Sequence, residues 1–187
     1  MNGEDAAFEA AVKLLARRAL SEAEVRERLL RKGHPDEDVE RVVERLTRAG
    51  YLDDRRVALE TILYHCRRGH GPIRANERLR GLAVPEDAIA RAWEEAEADY
   101  GIDPRKILRD QLQSRLRQPP SSCDEAMLRR VYNALLRAGF EESEVRSELD
   151  PYLRDPDDAV DAVPADDDWT GPPDQRSKET RADDDSQ

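Results

Sequence analysis

Apolar residues recur three and four positions apart along the chain as far as about residue 154, a spacing typical of amphipathic helices. The first such stripe consists of Phe8, Ala11, Val12, Leu15 and Ala19. No stretch shows the strict alternation of apolar and polar residues that indicates a half-buried strand. The pattern therefore predicts an all-α fold.

The boundaries of the helices are marked by capping residues. Ser21 and Glu24 form a capping box, and Leu20 and Val25 occupy the positions of a hydrophobic staple, so we expect a helix to begin directly after Ser21. Glycines and prolines that end or begin helices mark the remaining boundaries: Gly33, Pro35, Gly50, Gly69, Gly71, Pro72, Pro85 and Gly139.

The chain also contains an internal repeat. An offset of 50 residues aligns Leu29 with Leu79, Pro35 with Pro85 and Val39 with Ile89, and an offset of 106 aligns Val25 with Val131, Leu29 with Leu135 and Gly33 with Gly139. These offsets predict three tandem three-helix modules over residues 1–52, 53–100 and 101–154. Stacked modules of this kind form an elongated, curved body, and such bodies commonly bind other macromolecules.

Charge is distributed unevenly between these modules and the rest of the chain. Residues 155–187 hold 12 acidic and 3 basic residues and few apolar ones, which predicts a disordered acidic tail. The preceding 154 residues hold 30 acidic and 28 basic residues, so the net charge of −11 does not exclude a nucleic-acid partner. A tethered acidic tail is expected to compete with phosphates for the arginines of the body, the alternative being a tail that aids solubility and makes no contact with the body.

Other features of composition bear on location. The chain has no apolar run of the length that a membrane span needs and no basic start followed by an apolar segment, and it holds 2 cysteines. We therefore expect a cytoplasmic protein that has no membrane partner.

Several motifs, in this order and spacing, resemble the RecX family of regulators of the RecA recombinase. They are residues 14–29, Lys32-Gly33, residues 46–54, residues 71–73 with Leu79, and residues 136–141 with Val145. The resemblance covers residues 8–154. The chain departs from it at Ala83, which stands where the other modules have Gly33 and Gly139, and alanine tolerates a left-handed backbone less well than glycine.

The resemblance implies a regulatory protein that is not an enzyme and needs no cofactor. It implies binding to RecA and to its nucleoprotein filament on single-stranded DNA, with inhibition of ATP hydrolysis and strand exchange and effects on DNA repair, recombination and the SOS response. Direct contact with single-stranded DNA is expected to be weak or indirect, and the protein is expected to be a monomer.

The strongest basic bias lies between residues 55 and 80, where seven arginines accompany two glutamates. We interpret these arginines as candidates for contact with RecA or DNA, the alternative being that they form the solvated faces of two amphipathic helices. They are Arg55, Arg56, Arg67, Arg68, Arg74, Arg78 and Arg80.

The sequence gives less support to a metal site, a catalytic site or base stacking. Cys66 lies on an apolar stripe and Cys123 is far along the chain, so we expect a buried thiol instead of a metal site. The three histidines, His34, His65 and His70, show no spacing that predicts partners, and no catalytic set is evident. Trp93, Tyr51 and Tyr100 are candidates for base stacking, although packing at helix stripes or ends explains them better.

A second function remains open from the sequence. Short helices joined by glycine turns also occur in DNA-binding regulators of the helix-turn-helix type. Such a reader needs one recognition helix, whereas three similar modules with a nearly neutral body suit contact with a filament.

Overall fold

The structure, a computed structural model, describes residues 3–116 and 124–153. All regular secondary structure within these two ranges is α-helical, which confirms the prediction of an all-α fold. The described helices are α1 (Gly3–Leu15), α2 (Glu22–Arg31), α3 (Asp36–Arg48), α4 (Asp54–Arg67), α5 (Pro72–Gly81), α6 (Glu86–Tyr100), α7 (Pro104–Leu116), α8 (Glu125–Arg137) and α9 (Glu142–Leu153).

The helices group in threes, and each group encloses an apolar cluster of its own. Helices α1–α3 enclose a cluster that begins at Ala7 and ends at Leu52, and α4–α6 enclose one from Val57 to Ala96. Helices α7–α9 enclose a third cluster, which begins at Leu108 and ends at Leu149. Each fully buried aliphatic side chain contributes about 1.5–3 kcal/mol of transfer free energy. The prediction of three three-helix modules is confirmed.

The capping box predicted at the start of α2 is present. The Ser21 hydroxyl accepts a hydrogen bond from the Glu24 amide at 3.1 Å, and the Glu24 carboxylate accepts one from the Ser21 amide at 3.4 Å. Leu20 and Val25, at the staple positions, are both buried. The box therefore fixes both the first residue of α2 and the direction from which the chain enters it.

The second helix of each module ends in the same left-handed turn. The residue that makes this turn has φ = +85° at Gly33, +50° at Ala83 and +90° at Gly139. The next amide returns to a carbonyl of the preceding helix in all three modules, as a Schellman turn requires. Ala83 thus adopts the turn that glycine makes in the other two modules.

Some individual positions differ from the sequence pattern. Helix α1 ends at Leu15, so Ala19 lies beyond it, and Val12 is 45% exposed. Ala7, which the pattern did not include, is buried together with the predicted Ala11, because small side chains add little to a hydrophobic pattern yet allow α1 to approach α3 closely. Two other large apolar residues, Ile73 and Leu153, are also exposed.

Hydrogen bonds connect neighbouring modules. Between the first and second modules, the buried Ser21 hydroxyl donates to the Leu82 carbonyl at 2.7 Å, and the Glu22 amide donates to Asp54 Oδ1 at 2.9 Å. Ser21 thus serves both as a helix cap and as a link between modules.

Main-chain atoms join the second module to the third. The Gly71 amide donates to the Ala138 carbonyl at 2.9 Å, and the Ile73 amide donates to the Gly139 carbonyl at 3.0 Å. A Cβ atom at Gly71 would lie 2.2 Å from the Gly139 carbonyl oxygen, so a side chain cannot be accommodated at Gly71 without movement of the backbone. The close approach explains why glycine is required there.

One sequence expectation concerns residues that the structure does not describe. The predicted acidic tail lies outside the described residues. None of the described helices combines the length and apolar character needed to cross a bilayer.

Candidate functional site

The seven arginines singled out from the sequence divide into two sets according to their ion pairs. Three of them contact glutamates: Arg55 Nη2 lies 2.5 Å from Glu95, Arg56 Nε lies 3.1 Å from Glu60, and Arg80 Nε lies 2.7 Å from Glu86. These pairs are exposed, so each contributes little to stability. Their carboxylates nevertheless offset the positive charge that a phosphate would need.

Arg55 and Arg56 line a cleft of about 470 Å³ between α4 and α6. Asp53, Glu60 and Glu95 line the same cleft. A cleft with both signs of charge is poorly suited to bind a phosphate backbone, because its carboxylates repel the ligand. The cleft is therefore a weaker candidate than the rest of the arginine set.

The other four arginines, Arg67, Arg68, Arg74 and Arg78, are exposed. No carboxylate of the described residues lies within ion-pair distance of them. Three of the four act electrostatically on a pair of histidines, His65 and His70, from the end of α4 and from α5. We refer to His65, His70, Arg68, Arg74 and Arg78 as the Arg–His cluster.

The turn at the end of α4 brings the two histidines together. Gly69 has φ = +73°, its amide donates to the Cys66 carbonyl at 2.9 Å, and the His70 amide donates to the His65 carbonyl at 3.0 Å. These are the two hydrogen bonds of a Schellman turn, in which the residues on either side of the turn come into contact. As a result, Nδ1 of His65 lies 3.1 Å from Nδ1 of His70.

The sequence interpretation that the histidines have no partners is wrong for this pair. A spacing of five residues within one helix would separate two side chains, but here the helix ends between them. Gly69 was the available signal, because a glycine directly after a helix predicts the left-handed turn that folds His70 back onto His65.

Positive charge dominates the surroundings of the pair. Burial and the charges of His70, Arg74, Arg78 and Arg68 lower the pKa of His65. Burial and the charges of Arg74 and Arg68 lower the pKa of His70. Both imidazoles are therefore neutral at neutral pH, in a region that attracts anions.

An exposed aromatic ring borders the Arg–His cluster. Tyr64 is 55% exposed, and the Arg68 guanidinium lies 5.3 Å from the centre of its ring. The centres of the Tyr64 and His65 rings are 5.4 Å apart, and the two rings are nearly perpendicular. The sequence pattern missed Tyr64, which lies off the apolar stripe of α4 and four residues before Arg68. This spacing was the available signal, because it places both residues on one face of α4.

The aromatic residues proposed from the sequence lie elsewhere. Trp93 is half-buried and its Nε1 donates to Asn76 Oδ1 at 2.8 Å, so it packs at a helix junction. Tyr100 lines the cleft beside Arg55, and Tyr51 is exposed at the end of the first module. No contact joins any of these three rings to the Arg–His cluster.

The third module meets the second beside the Arg–His cluster. Arg74 Nη1 donates to the Arg137 carbonyl at 3.3 Å, and a Cβ atom at Gly139 would lie 2.6 Å from that of Arg74. The third module therefore provides a main-chain acceptor that holds Arg74, and none of its described carboxylates forms an ion pair with this arginine.

Cys66 lies beneath the cluster and faces the core of the second module, where it is 5% exposed. Burial raises the pKa of its thiol to about 11. In the described part of the chain, no three side chains of the types that bind metals come together. Cys123 lies outside that part.

Comparison with known proteins identifies the family of this chain. A family model described as "RecX, first three-helix domain" matches residues 7–46. The regulatory protein RecX of Halorhodospira halophila is 32% identical over 143 residues, which span 76% of this chain and 86% of that protein. The chain belongs to the RecX family. The regulatory protein RecX of Stenotrophomonas maltophilia is 31% identical over 148 residues, or 79% of this chain and 86% of the relative.

Solved structures of RecX proteins share the fold. The crystal structure of RecX from Lactobacillus salivarius aligns with a TM-score of 0.67 over 80% of this chain and 96% of its own, at 11% sequence identity. A second crystal structure of a regulatory protein RecX aligns with a TM-score of 0.65 over 79% of this chain and 73% of its own, at 17% identity. The family resemblance and the fold expected from it are confirmed.

Proposed function

We propose that this RecX-family protein binds the RecA recombinase and its filament on single-stranded DNA and lowers the filament's ATP hydrolysis and strand exchange. Family membership carries this proposal, since relatives that align over most of the chain are named as regulatory proteins. It would act in the cytoplasm, in recombination and DNA repair, without chemistry of its own.

The repeated modules support contact with a filament. A filament presents the same protein surface at regular intervals, and three modules of similar construction offer several binding faces on one chain. When such faces are linked, binding of one raises the effective concentration of the next, so weak individual contacts add up to stable association.

The arginines without carboxylate partners support a contact with the DNA in that filament. Arginine binds phosphate through forked hydrogen bonds and does so best where no carboxylate competes. Arg67, Arg68, Arg74 and Arg78 meet this condition, whereas Arg55, Arg56 and Arg80 are paired with glutamates. We therefore assign the DNA contact to the unpaired set.

The first test is a titration of RecA's DNA-dependent ATP hydrolysis with the purified protein, together with co-sedimentation of the protein with RecA–DNA filaments. Hydrolysis is expected to fall as the protein accumulates on the filament, and the protein alone is expected to hydrolyse no ATP. Unchanged hydrolysis without co-sedimentation at excess protein would refute the proposal. Sequence-selective binding to duplex DNA would instead favour a helix-turn-helix regulator.

The second test asks whether the unpaired arginines participate. Arg67→Ala combined with Arg68→Ala is expected to weaken filament binding. It is also expected to reduce the slope of log affinity against log salt concentration by the contribution of up to about two phosphate contacts. Thermal stability is expected to change little, because exposed charges contribute little to folding.

A matched control for this test is Arg48→Ala combined with Arg91→Ala. Both arginines are exposed and each is paired with an acidic residue one helical turn away, so their removal is expected to leave filament binding unchanged. Equal effects of the two double variants would show that the unpaired set has no special role.

A further inference from the structure

The His65–His70 pair leaves two ring nitrogens available to a ligand. The two Nδ1 atoms contact each other, and neither Nε2 atom has a protein partner. Among the described residues, no buried side-chain nitrogen or oxygen lacks a hydrogen-bond partner. Both Nε2 atoms are therefore accessible from solvent.

The contact between the two Nδ1 atoms limits how the protons are arranged. In the neutral pair, one Nδ1–H donates to the other Nδ1, so one ring carries a hydrogen on Nε2 and the other ring has a bare Nε2. Addition of one proton to the bare Nε2 gives two Nε2–H donors and a positive charge. The hydrogen bond between the rings is retained and becomes charge-assisted.

We propose that the His65–His70 pair binds a phosphate of single-stranded nucleic acid and takes up a proton as it does so. This inference rests on the proposed function, and it names the phosphate contact and the way in which pH regulates it. The Nε2–H group formed by proton uptake donates to a phosphate oxygen in the bound state. The other Nε2–H group lies on the far side of the pair, because the two Nδ1 atoms face each other at 3.1 Å and the ring centres are 5.3 Å apart. No covalent bond is made or broken apart from the N–H bond formed with a solvent proton.

The groups around the pair favour an anion. From α4, Tyr64 and Arg68 lie beside it, and Arg74 and Arg78 act on it from α5. The third module contributes the Gln111 side chain next to Gly69 and the Arg137 carbonyl at Arg74. No carboxylate of the described residues pairs with the three arginines of the cluster.

The exposed Tyr64 ring favours nucleic acid over an acidic peptide. Proteins that bind single strands combine a positive surface along the backbone with aromatic rings on which bases stack. Tyr64 supplies such a ring, half-exposed and adjacent to both His65 and Arg68. A peptide carboxylate would use the cations but would leave the ring without a role.

The positive surroundings account for the coupling between binding and protonation. Without a ligand, Arg68, Arg74 and Arg78 disfavour a further charge on the pair and lower the pKa of His65. A bound phosphate reverses this effect, because its negative charge stabilises the imidazolium. There is therefore a range of pH over which the pair is neutral in the free protein and protonated in the complex.

The test measures binding of fluorescein-labelled oligothymidylate to the full-length protein at constant ionic strength and varied pH. Uptake of a whole proton raises affinity about tenfold for each unit fall in pH, so we expect a rise of about three- to tenfold between about pH 7 and pH 6. Calorimetry in two buffers that differ in ionisation enthalpy measures the proton uptake directly.

The variant His65→Gln with His70→Gln removes the titrating groups and retains polar side chains. It is expected to bind more weakly than the wild-type protein, because it lacks the imidazole donors, and to lose the rise in affinity at lower pH. His34→Gln is the matched control, because His34 lies in the first module and outside the cluster. It is expected to keep the wild-type pH dependence.

Histidine ring resonances in the wild-type protein provide a measurement that does not depend on the double variant. With resonances assigned from the single variants His65→Gln and His70→Gln, the oligonucleotide is expected to raise the pKa of the pair.

Three results would each overturn the inference. The first is binding of the oligonucleotide without proton uptake, and the second is an unaltered pH dependence of binding in the double variant. The third is competition by polyglutamate that equals that of the oligonucleotide and shows the same pH dependence, which would assign the pair to carboxylates. Failure of the oligonucleotide to bind would also overturn it. Lowered RecA ATP hydrolysis in that case would leave the proposed function intact, so the two failures are distinguishable.

Discussion

Replacement of Ala83 by glycine is expected to stabilise the protein. Ala83 occupies the left-handed turn after α5 with φ = +50°, a conformation that costs a residue with a Cβ atom about 1–2 kcal/mol. Its side chain is exposed, so its removal sacrifices no packing in the core. The turn hydrogen bond from the Ala83 amide to the Arg80 carbonyl, 2.9 Å long, is made by the backbone and is retained in the variant.

The gain is partly offset in the unfolded chain. Glycine has more conformational freedom to lose on folding than alanine, which costs about 0.5–1 kcal/mol. The φ of Ala83 also lies close to the value that alanine tolerates best in this region, which keeps the strain near the lower end of its range. The expected net stabilisation is about 0.5 kcal/mol.

Urea denaturation followed by far-ultraviolet circular dichroism measures this difference. The midpoint is expected to rise at an unchanged slope, because the surface exposed on unfolding stays the same. Gly33→Ala is the reciprocal control, since it introduces a Cβ atom at the equivalent turn of the first module, where nothing lies within 4 Å. Its net cost of about 1 kcal/mol is the backbone strain, reduced by the smaller freedom of alanine in the unfolded chain.

The outcome of this pair of variants is decisive. If Ala83→Gly lowers the midpoint while Gly33→Ala also lowers it, then Ala83 is not strained and the equivalence of the two turns fails. If Gly33→Ala costs nothing, the left-handed conformation itself carries no penalty in this fold, and the reasoning is refuted for both modules.

Two further predictions concern the start of α2. Ser21→Ala removes both the cap and the hydrogen bond to the Leu82 carbonyl and is expected to cost about 2–3 kcal/mol in urea denaturation, against about 1 kcal/mol for Asp124→Ala, which removes only the cap of α8. An equal cost for both would show that the link between modules contributes nothing. Glu24→Gln is expected to cost about 1 kcal/mol at neutral pH, because the folded protein stabilises the Glu24 carboxylate. Burial alone would raise the pKa of Glu24. Hydrogen bonds from Arg18 and the Ser21 amide, together with the charges of Arg18 and Arg28, lower the pKa overall. A lowered carboxyl pKa gives stability that is present above the ordinary pKa of 4.5 and is lost as pH falls through the pKa of the folded protein. The difference in stability between the variant and the wild-type protein is therefore expected to vanish in acid. A difference that stays constant with pH would contradict this account.

The fold was largely predictable because its signals are local. The capping box at Ser21, the acidic starts of α3 and α6 and the glycine turns each define a helix end within a few residues. The buried face of α1 was predicted only in part, because burial of Ala7 depends on how closely α3 approaches. That distance is a tertiary property, and the pattern of one helix does not contain it.

The candidate site was predicted in part. The sequence located seven arginines, but it did not separate Arg67, Arg68, Arg74 and Arg78 from those that pair with glutamates. The separation depends on contacts such as Arg55 with Glu95, which lie 40 residues apart in the chain. The histidine pair was missed although its signal was local, because Gly69 was treated as a break in the chain and not as a turn that brings two residues together.

The junction between the second and third modules consists of main-chain hydrogen bonds and a glycine pair, Gly71 and Gly139. Arg74 belongs both to this junction and to the Arg–His cluster, because its guanidinium donates to the Arg137 carbonyl. The other cluster arginines and the two histidines are free to diverge during evolution without altering the spacing of the modules, while the two glycines are not. Relatives can therefore differ in what they bind while the geometry of the junction stays constant.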